Sequence, residues 1–167
     1  MEKGFTKQAE QVLNNAKDIA KKMRHPYVGT EHLLCALRRE FTGVAGQVLS
    51  MNQVEEEDII QVIEELISPV QQVKKRGIEF SPRLEYLLDN AYQESAFMRM
   101  DKIGTEHLLL AMLKDADCVA TRILATLNVN LGKVQEDLLE TVGVSSKEYA
   151  EFSVESNKNT SGMLEQF

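Results

Sequence analysis

The chain has 167 residues, 43% of them hydrophobic and 27% charged, which is ordinary for a soluble globular protein of one compact domain or two small halves. Its formal net charge of −7 argues against nucleic acid or an anionic membrane as the main partner, because both call for a basic face. No apolar run approaches the roughly 18 residues that a membrane span needs.

The two cysteines and the first residues bear on the cellular compartment. Cys35 and Cys118 lie in or beside apolar helical stretches, and no C-x-x-C is present. We interpret them as small buried hydrophobic residues of a protein from a reducing compartment. Residues 1–4 lack the basic and apolar regions of a signal peptide. We therefore expect a cytoplasmic protein without a membrane partner.

Four helices are predicted in the first half of the chain. Apolar residues at three- and four-residue spacing predict a helix over residues 5–23, with Thr6 as its N-cap. We expect it to end near His25-Pro26, because the residue before a proline is pushed out of the helical region. Three further helices are predicted over residues 30–39, 43–49 and 55–67.

The second half repeats this plan 75 residues further on. The hexapeptide Gly-Thr-Glu-His-Leu-Leu occurs at residues 29–34 and again at 104–109, and residues 5–67 align with 80–142 without a gap. Self-similarity at a fixed period indicates an internal duplication. Because the period-two runs of strands are missing, the predicted fold class is all-α. We expect two four-helix repeats, related by pseudo-two-fold symmetry and packed into one eight-helix domain.

Composition divides the chain into three parts. Residues 1–79 form the first repeat with an inter-repeat linker, and residues 80–143 form the second repeat. Residues 144–167 are polar and lack an apolar period, so we expect a flexible linker that leads to a further domain. The basic run at residues 74–76 is interpreted as a solvated linker, with a docking patch for acidic partners as the alternative.

Searches for catalytic motifs give no candidate. The sequence has no P-loop, no H-E-x-x-H and no G-x-S-x-G. His32 and His107 each have a neighbouring glutamate, but adjacent residues point to different helix faces, and a zinc site needs three or four converging ligands. We therefore expect no catalytic residue and no metal, and we expect each imidazole to form a local hydrogen bond near its helix start.

The Thr-Glu pairs at 30–31 and 105–106 allow two interpretations. In the structural one, each threonine caps a helix and each glutamate complements its dipole. In the binding one, the N–H groups of a helix start suit a phosphate, and the adjacent carboxylate suits a guanidinium. A side chain that carries both groups is phosphoarginine.

These motifs together resemble the double Clp N-motif. The residues that carry the resemblance are Phe5-Thr6, the hexapeptide at 29–34, Phe80-Ser81-Pro82-Arg83 and the hexapeptide at 104–109. This arrangement is similar to the N-terminal domain of the Clp/Hsp100 AAA+ unfoldases, most of all the ClpC type. The resemblance covers about residues 4–143, and residues 161–167 resemble the segment that enters the first ATPase ring.

The resemblance implies a recognition domain and not an enzyme. Such a domain is tethered to a hexameric ATP-dependent unfoldase that feeds a ClpP-type peptidase. The implied partners are phosphoarginine-bearing or unfolded substrate proteins and a MecA-type adaptor. ATP and Mg are expected only for the missing ATPase domains, so this part of the protein carries no cofactor and is expected to be monomeric. The alternative is an adaptor-docking or structural domain without phosphoarginine recognition.

The resemblance also implies two phosphoarginine sites, one for each repeat, in which a glutamate engages the guanidinium. The residues carried over are Thr6, Thr30, Glu31, Ser81, Arg83, Thr105 and Glu106. Thr6 and Ser81 are assigned to the phosphate. Relatives often have an arginine where this chain has Gly4, and Lys7 or Arg83 are the candidate substitutes. We expect the second repeat to hold the better site, because Arg83 follows Ser81 closely.

Overall fold

The computed structural model describes residues 4–70 and 77–154, and these residues are helical with short connections. The helices are α1 (Lys7–Lys22), α2 (Thr30–Arg39), α3 (Val44–Met51), α4 (Glu56–Leu66), α5 (Pro82–Phe97), α6 (Thr105–Lys114), α7 (Val119–Thr126) and α8 (Leu131–Val142). The described ranges contain no strand, only two isolated parallel bridges, Phe5 with Ile103 and Val28 with Phe80. The all-α prediction is confirmed. The basic run at 74–76 lies outside the described residues.

None of the helices in the described ranges is long and apolar enough to cross a lipid bilayer.

The duplication is visible in the backbone. Arg24 and Arg99 both have positive φ, 60° and 55°, and so do Gln53 and Asn128, 63° and 61°. Each pair is 75 residues apart and follows equivalent helices. Helix α1 ends at Lys22, close to the predicted end near His25-Pro26, but the left-handed turn at Arg24 closes it and not the proline. Helix α5 ends in the same way at Arg99, without a proline nearby.

Helices α2 and α6 form the centre of the core. Residues 30–37 of α2 are all buried, and so are most residues of α6. Helix α2 packs on α1, α3 and α4 of its own repeat and on α6 and α7 of the other. Helix α6 packs on α5, α7 and α8 and on α1 and α3 of the first repeat. The two repeats therefore share one core.

The two threonines of the hexapeptides cap helices in the opposite repeat. Each is the first residue of its own helix, which has Gly29 or Gly104 as N-cap, so the expected cap of α2 or α6 is wrong. The Thr30 hydroxyl oxygen accepts the Ala120 N–H at the start of α7, at 3.1 Å. The Thr105 hydroxyl oxygen accepts the Ala45 N–H at the start of α3, at 3.2 Å. This reciprocity is what the predicted pseudo-two-fold arrangement requires.

The two threonines supply the side-chain caps that α3 and α7 do not receive from their own N-cap residues. Gly43, the N-cap of α3, has no side chain. Cys118, the N-cap of α7, directs its thiol to the Thr121 hydroxyl and the Met112 carbonyl. The first amides of a helix have no partner within it, so the opposite repeat supplies an acceptor that the local sequence does not.

The expectation of a flexible linker from residue 144 onward is wrong for residues 146–154, which form a ninth helix against the second repeat. Tyr149 is fully buried, and its hydroxyl donates to Glu94 Oε1 at 2.9 Å. Lys114 Nζ lies 2.6 Å from the same oxygen, and the Phe152 ring stacks on Phe97 with centroids 4.3 Å apart. The polar composition of this stretch does not predict the helix, because its packing depends on two aromatic residues alone, Tyr149 and Phe152. Residues 155–167 lie outside the described residues.

A chain of hydrogen bonds through two buried histidines joins α1, α2 and α4. The Gly29 N–H donates to His32 Nδ1 at 2.9 Å, which leaves the neutral ring's proton on Nε2. His32 Nε2 lies 2.8 Å from His25 Nδ1 and therefore donates to it. His25 in turn donates to the Ile67 carbonyl at the end of α4. A proton added to either ring would break this sequence of donors and acceptors.

Burial lowers the pKa of both histidines. Burial first, and then the neighbouring His25, lower the pKa of His32 to about 3, while burial lowers the pKa of His25 against the opposing effect of the Ile67 carbonyl. The surrounding charged groups are Glu31 on α2 and Arg83 on α5, which line the same pocket. The position of His25 is taken by Met100 in the second repeat.

The cross-repeat caps predict a stability loss for Thr30→Val and Thr105→Val. Valine keeps the shape but leaves a buried amide without an acceptor, so each change should lower the free energy of unfolding by about 1–2 kcal/mol. Thr126→Val is the matched control, since Thr126 is exposed on α7 and bonds back only to the Arg122 carbonyl. Urea unfolding measures the difference. Equal stability of Thr30→Val and Thr126→Val would contradict the cap assignment.

The histidine chain predicts acid sensitivity. Both folded-state pKa values are depressed, so the stabilisation is complete above pH 6.5 and is lost as pH falls below it, toward about 3 for His32. Each histidine that stays neutral costs about 1.4 kcal/mol of stability for each pH unit below its unfolded pKa. His25→Met, which installs the residue of the second repeat, should lose less stability than the parent between about pH 7.5 and 5.5.

Urea unfolding at both pH values compares the two chains. The carboxylates with raised pKa are common to both, so their contribution cancels in the comparison. Equal acid losses would show that His25 does not contribute.

Candidate functional site

The site residues come together across the repeats and not within them. The Val28 N–H donates to the Glu79 carbonyl and the Ser81 N–H to the Val28 carbonyl, at 2.9 and 2.8 Å, which holds Ser81 beside the start of α2. The Thr6 N–H donates to the Ile103 carbonyl at 2.9 Å, which holds Thr6 beside the start of α6. The expectation of one site within each repeat is therefore wrong.

We name the two assemblies site A and site B. Site A comprises Gly29, Thr30, Glu31, Ser81 and Arg83. Site B comprises Gly104, Thr105, Glu106 and Thr6. Each combines the start of the second helix of one repeat with the start of the first helix of the other.

The glutamate of each hexapeptide folds back over its glycine. A Cβ atom on Gly29 would lie 1.9 Å from Glu31 Oε1, and one on Gly104 would lie 2.0 Å from Glu106 Oε1. Both glycines have negative φ, so the reason for glycine here is space and not backbone conformation. The carboxylate occupies the volume that any other residue's Cβ would fill.

Both carboxylates are largely buried, and neither has a lysine or arginine partner in the part of the chain that the structure describes. Glu31 is 6% exposed, and it takes part in no ion pair within residues 4–70 and 77–154. Burial raises the pKa of Glu31 and of Glu106, against the smaller opposing effect of each residue's own backbone N–H. Buried carboxylates are normally paired, so an incoming cation would complete each site.

The contact between Glu106 and His107 is not an ion pair. Glu106 Oε1 lies 3.5 Å from His107 Nδ1, but that nitrogen accepts the Gly104 N–H at 2.8 Å. It therefore carries no proton to share with the carboxylate. His32 and His107 both form the local hydrogen bond to the N-cap glycine that the sequence predicted. Within residues 4–70 and 77–154, no three His, Cys, Asp or Glu side chains converge on a possible metal position.

The hydroxyl groups of the two sites have different roles. The Thr6 and Ser81 oxygens accept the Ala9 and Leu84 N–H groups, both at 3.1 Å, which confirms these residues as caps of α1 and α5. A cap uses only an oxygen lone pair, so each hydroxyl proton can still be donated to an anion. The Thr30 and Thr105 oxygens are engaged by the opposite repeat and are almost fully buried.

Arg83 belongs to site A, so the expectation that it favours the second repeat is wrong. It lines the same pocket as Glu31 and Ser81. Its Nε donates to Asp115 Oδ2 at 2.6 Å and its second nitrogen pairs with the other Asp115 oxygen, which raises the pKa of the guanidinium. Site B has Gln8 at the equivalent position.

The position of Gly4 would admit a larger residue. Among the described residues, no heavy atom lies within 4 Å of the place where its Cβ would stand. Nothing steric thus explains why this chain lacks an arginine before Phe5. Lys7 is exposed at the start of α1, one residue after Thr6.

A pocket of about 310 Å³ lies at site A. Its lining includes four residues that sequence reasoning missed: Pro26, Tyr27, Ile67 and Val119. They come from three separate stretches of the chain, so no local motif could bring them together. The volume lies at the lower end of the range of small-molecule sites.

Comparison with known proteins places the chain. The sequence profile of the Clp repeat (R) N-terminal domain family matches residues 4–111 and 98–165. The ATP-dependent Clp protease ATP-binding subunit ClpC of Staphylococcus saprophyticus is 30% identical over 155 residues, which are 93% of this chain and 18% of that protein. The chain thus spans about a fifth of the length of this curated relative.

Two solved structures have the same fold. The N-domain of ClpV from Vibrio cholerae aligns with a TM-score of 0.68 and 23% identity over 85% of this chain and 87% of that one. A complex of a ClpV N-domain with a VipB peptide aligns with a TM-score of 0.65 and 21% identity over 85% of this chain and 89% of that one. The profile match covers most of the chain, and its helices and duplicated motifs agree with it. The chain belongs to the Clp repeat (R) N-terminal domain family.

Proposed function

We propose that this chain is the substrate- and adaptor-recognition domain of a ClpC-type ATP-dependent unfoldase, and that it binds phosphoarginine at sites A and B. The observation that carries the proposal is the pair of largely buried carboxylates, Glu31 and Glu106, which have no lysine or arginine partner among the described residues. A guanidinium supplies the missing charge and several N–H donors in a fork that fits a carboxylate.

The phosphate half of the ligand is met by the opposite repeat. In site A, Ser81 stands at the start of α5, where its hydroxyl and the positive end of the helix dipole favour an anion. Arg83 can contribute by sharing its guanidinium between Asp115 and the phosphate. In site B, Thr6 stands at the start of α1 with Lys7 beside it. We therefore expect site A to bind more tightly.

The alternative function is adaptor docking or structural support without phosphoarginine recognition. It is favoured by the structural role that most of the hexapeptide has: the glycine makes room, the threonine caps the other repeat, the histidine accepts a hydrogen bond and the leucines enter the core. The glutamate is different, since the carboxylate of Glu31 takes part in no ion pair among the described residues, and its own backbone N–H is the hydrogen-bonding partner that lowers its pKa. Glu31 and Glu106 are therefore the residues that discriminate between the two functions.

The relatives support a proposal about the partners of the whole protein. The ClpV N-domain in complex with a VipB peptide supports peptide binding by this fold. We propose that the parent protein is a cytoplasmic hexamer that takes a MecA-type adaptor and delivers phosphoarginine-marked or unfolded proteins to a ClpP-type peptidase. ATP and Mg would be bound by its ATPase domains.

Titration of phosphoarginine into the chain, followed by calorimetry, tests the proposal. We expect two sites in the parent chain and one in each of Glu31→Ala and Glu106→Ala. Losing one charge-assisted pair, worth about 1.5–3 kcal/mol, should weaken the affected site by roughly ten-fold or more. Glu57→Ala is the control, because Glu57 is an exposed first-turn glutamate of α4.

Gly29→Ala gives a second variant that leaves Glu31 in place. The added methyl should displace the carboxylate and weaken site A alone. Each variant should remain at least as stable as the parent in thermal unfolding, because the removed or displaced charge is a buried and unpaired one. The double variant carries both Glu31→Ala and Glu106→Ala. If it binds phosphoarginine like the parent, or if the parent does not bind phosphoarginine, the alternative function holds.

A further inference from the structure

The glycine, threonine, glutamate and histidine of each hexapeptide form the floor of its site, and the two floors are nearly identical. The N-cap amide to histidine distances are 2.9 Å in site A and 2.8 Å in site B. The glutamate lies over its glycine in both, and the threonine caps the opposite repeat in both. Any difference in what the two sites bind must therefore come from the residues around the floor.

The walls of the two sites differ in chemistry. Tyr27 lines the site A pocket and is 46% exposed, and its equivalent in the second repeat is Lys102. Pro26, beside it, is matched by Asp101. Site A is thus walled by an apolar loop where site B has two charged residues.

Further apolar surface adjoins Tyr27 in site A. Ile67, from the end of α4, and Val119, from the start of α7, line the same pocket. The Arg83 guanidinium lies 5.9 Å from the centre of the Tyr86 ring, which is 40% exposed. The equivalent of Tyr86 in the first repeat is Gln11. The volume of about 310 Å³ exceeds what a guanidinium alone would fill.

We propose that site A binds an arginine-type head group together with an apolar side chain adjacent to it in the same peptide, whereas site B reads the head group alone. The proposal rests on the proposed function in taking the two carboxylates as guanidinium sites. Glu31 fixes the head group by charge, and Tyr27, Ile67 and Val119 bury the neighbouring side chain. Tyr27 is the specificity-determining residue, because its exposed ring lines the site A pocket and site B has the charged Lys102 in its place.

Two peptides of equal length and charge test this, each with one central phosphoarginine flanked by either two leucines or two serines. Binding is measured on Glu106→Ala, which leaves site A, and on Glu31→Ala, which leaves site B. On site A the leucine peptide should bind about five- to ten-fold more tightly, as expected for partial burial of an apolar side chain. On site B the two peptides should bind equally.

Exchanging the wall residue should exchange the preference. Tyr27→Lys in the Glu106→Ala chain should remove the leucine preference while free phosphoarginine still binds. Lys102→Tyr in the Glu31→Ala chain should increase the leucine preference of site B. Thermal unfolding of both variants checks that each of them remains folded. An equal leucine preference at both sites, or a preference that survives Tyr27→Lys, overturns the inference.

A last arm separates this inference from the proposed function. If free phosphoarginine binds neither site, the phosphoarginine function fails, and the same pair of peptides is titrated with unmodified arginine in the centre. A leucine preference confined to site A then supports the wall inference without the phosphate. Equal or absent binding of the arginine peptides at site A overturns it.

Discussion

The hydrogen bond that each hexapeptide threonine accepts from the opposite repeat is the contact on which the arrangement of this molecule depends. Thr30 completes the start of α7 and Thr105 completes the start of α3. In each repeat, a first-turn amide of the third helix, α3 or α7, thus has its hydrogen-bond acceptor in the opposite repeat. Together with the reciprocal bridges of Val28 with Phe80 and Phe5 with Ile103, the caps fix the relative position of the halves before any apolar contact is considered.

The location of both sites follows from this reciprocity. The bridges place the first-helix cap of one repeat beside the second-helix start of the other, so a hydroxyl group and a carboxylate from different repeats lie at the same site. A single repeat would carry the carboxylate without that hydroxyl group. In each hexapeptide, the threonine accepts a hydrogen bond from the opposite repeat, and the largely buried glutamate folds back over its glycine at the same junction.

Sequence reasoning recovers what is periodic and local. The repeat, the helices and the caps at Thr6 and Ser81 follow from spacing and from residues within one turn of each other. The target of Thr30 does not, because a threonine at a helix start looks the same whether its oxygen meets an amide three residues away or one 90 residues away. The position of Arg83 in the same pocket as Glu31 is missed for the same reason, since its closeness to Ser81 in the sequence assigns it to the second repeat. The pocket wall from Tyr27, Ile67 and Val119 has no signature in the chain order.

The ninth helix shows how the two halves have been given different surroundings. Glu94, Phe97 and Lys114 receive Tyr149 and Phe152 on the second repeat, whereas the equivalent positions in the first repeat are Ile19, Lys22 and Arg39. The buried Glu94 requires a partner, because burial raises its pKa and Lys114 and the Tyr149 hydroxyl only partly offset this. The same contrast separates the walls of site A and site B. The residues that join the repeats, such as Thr30 and Thr105, are the same in both halves. The residues at the outer surface differ between the halves, so one shared junction supports two surfaces with distinct chemistry.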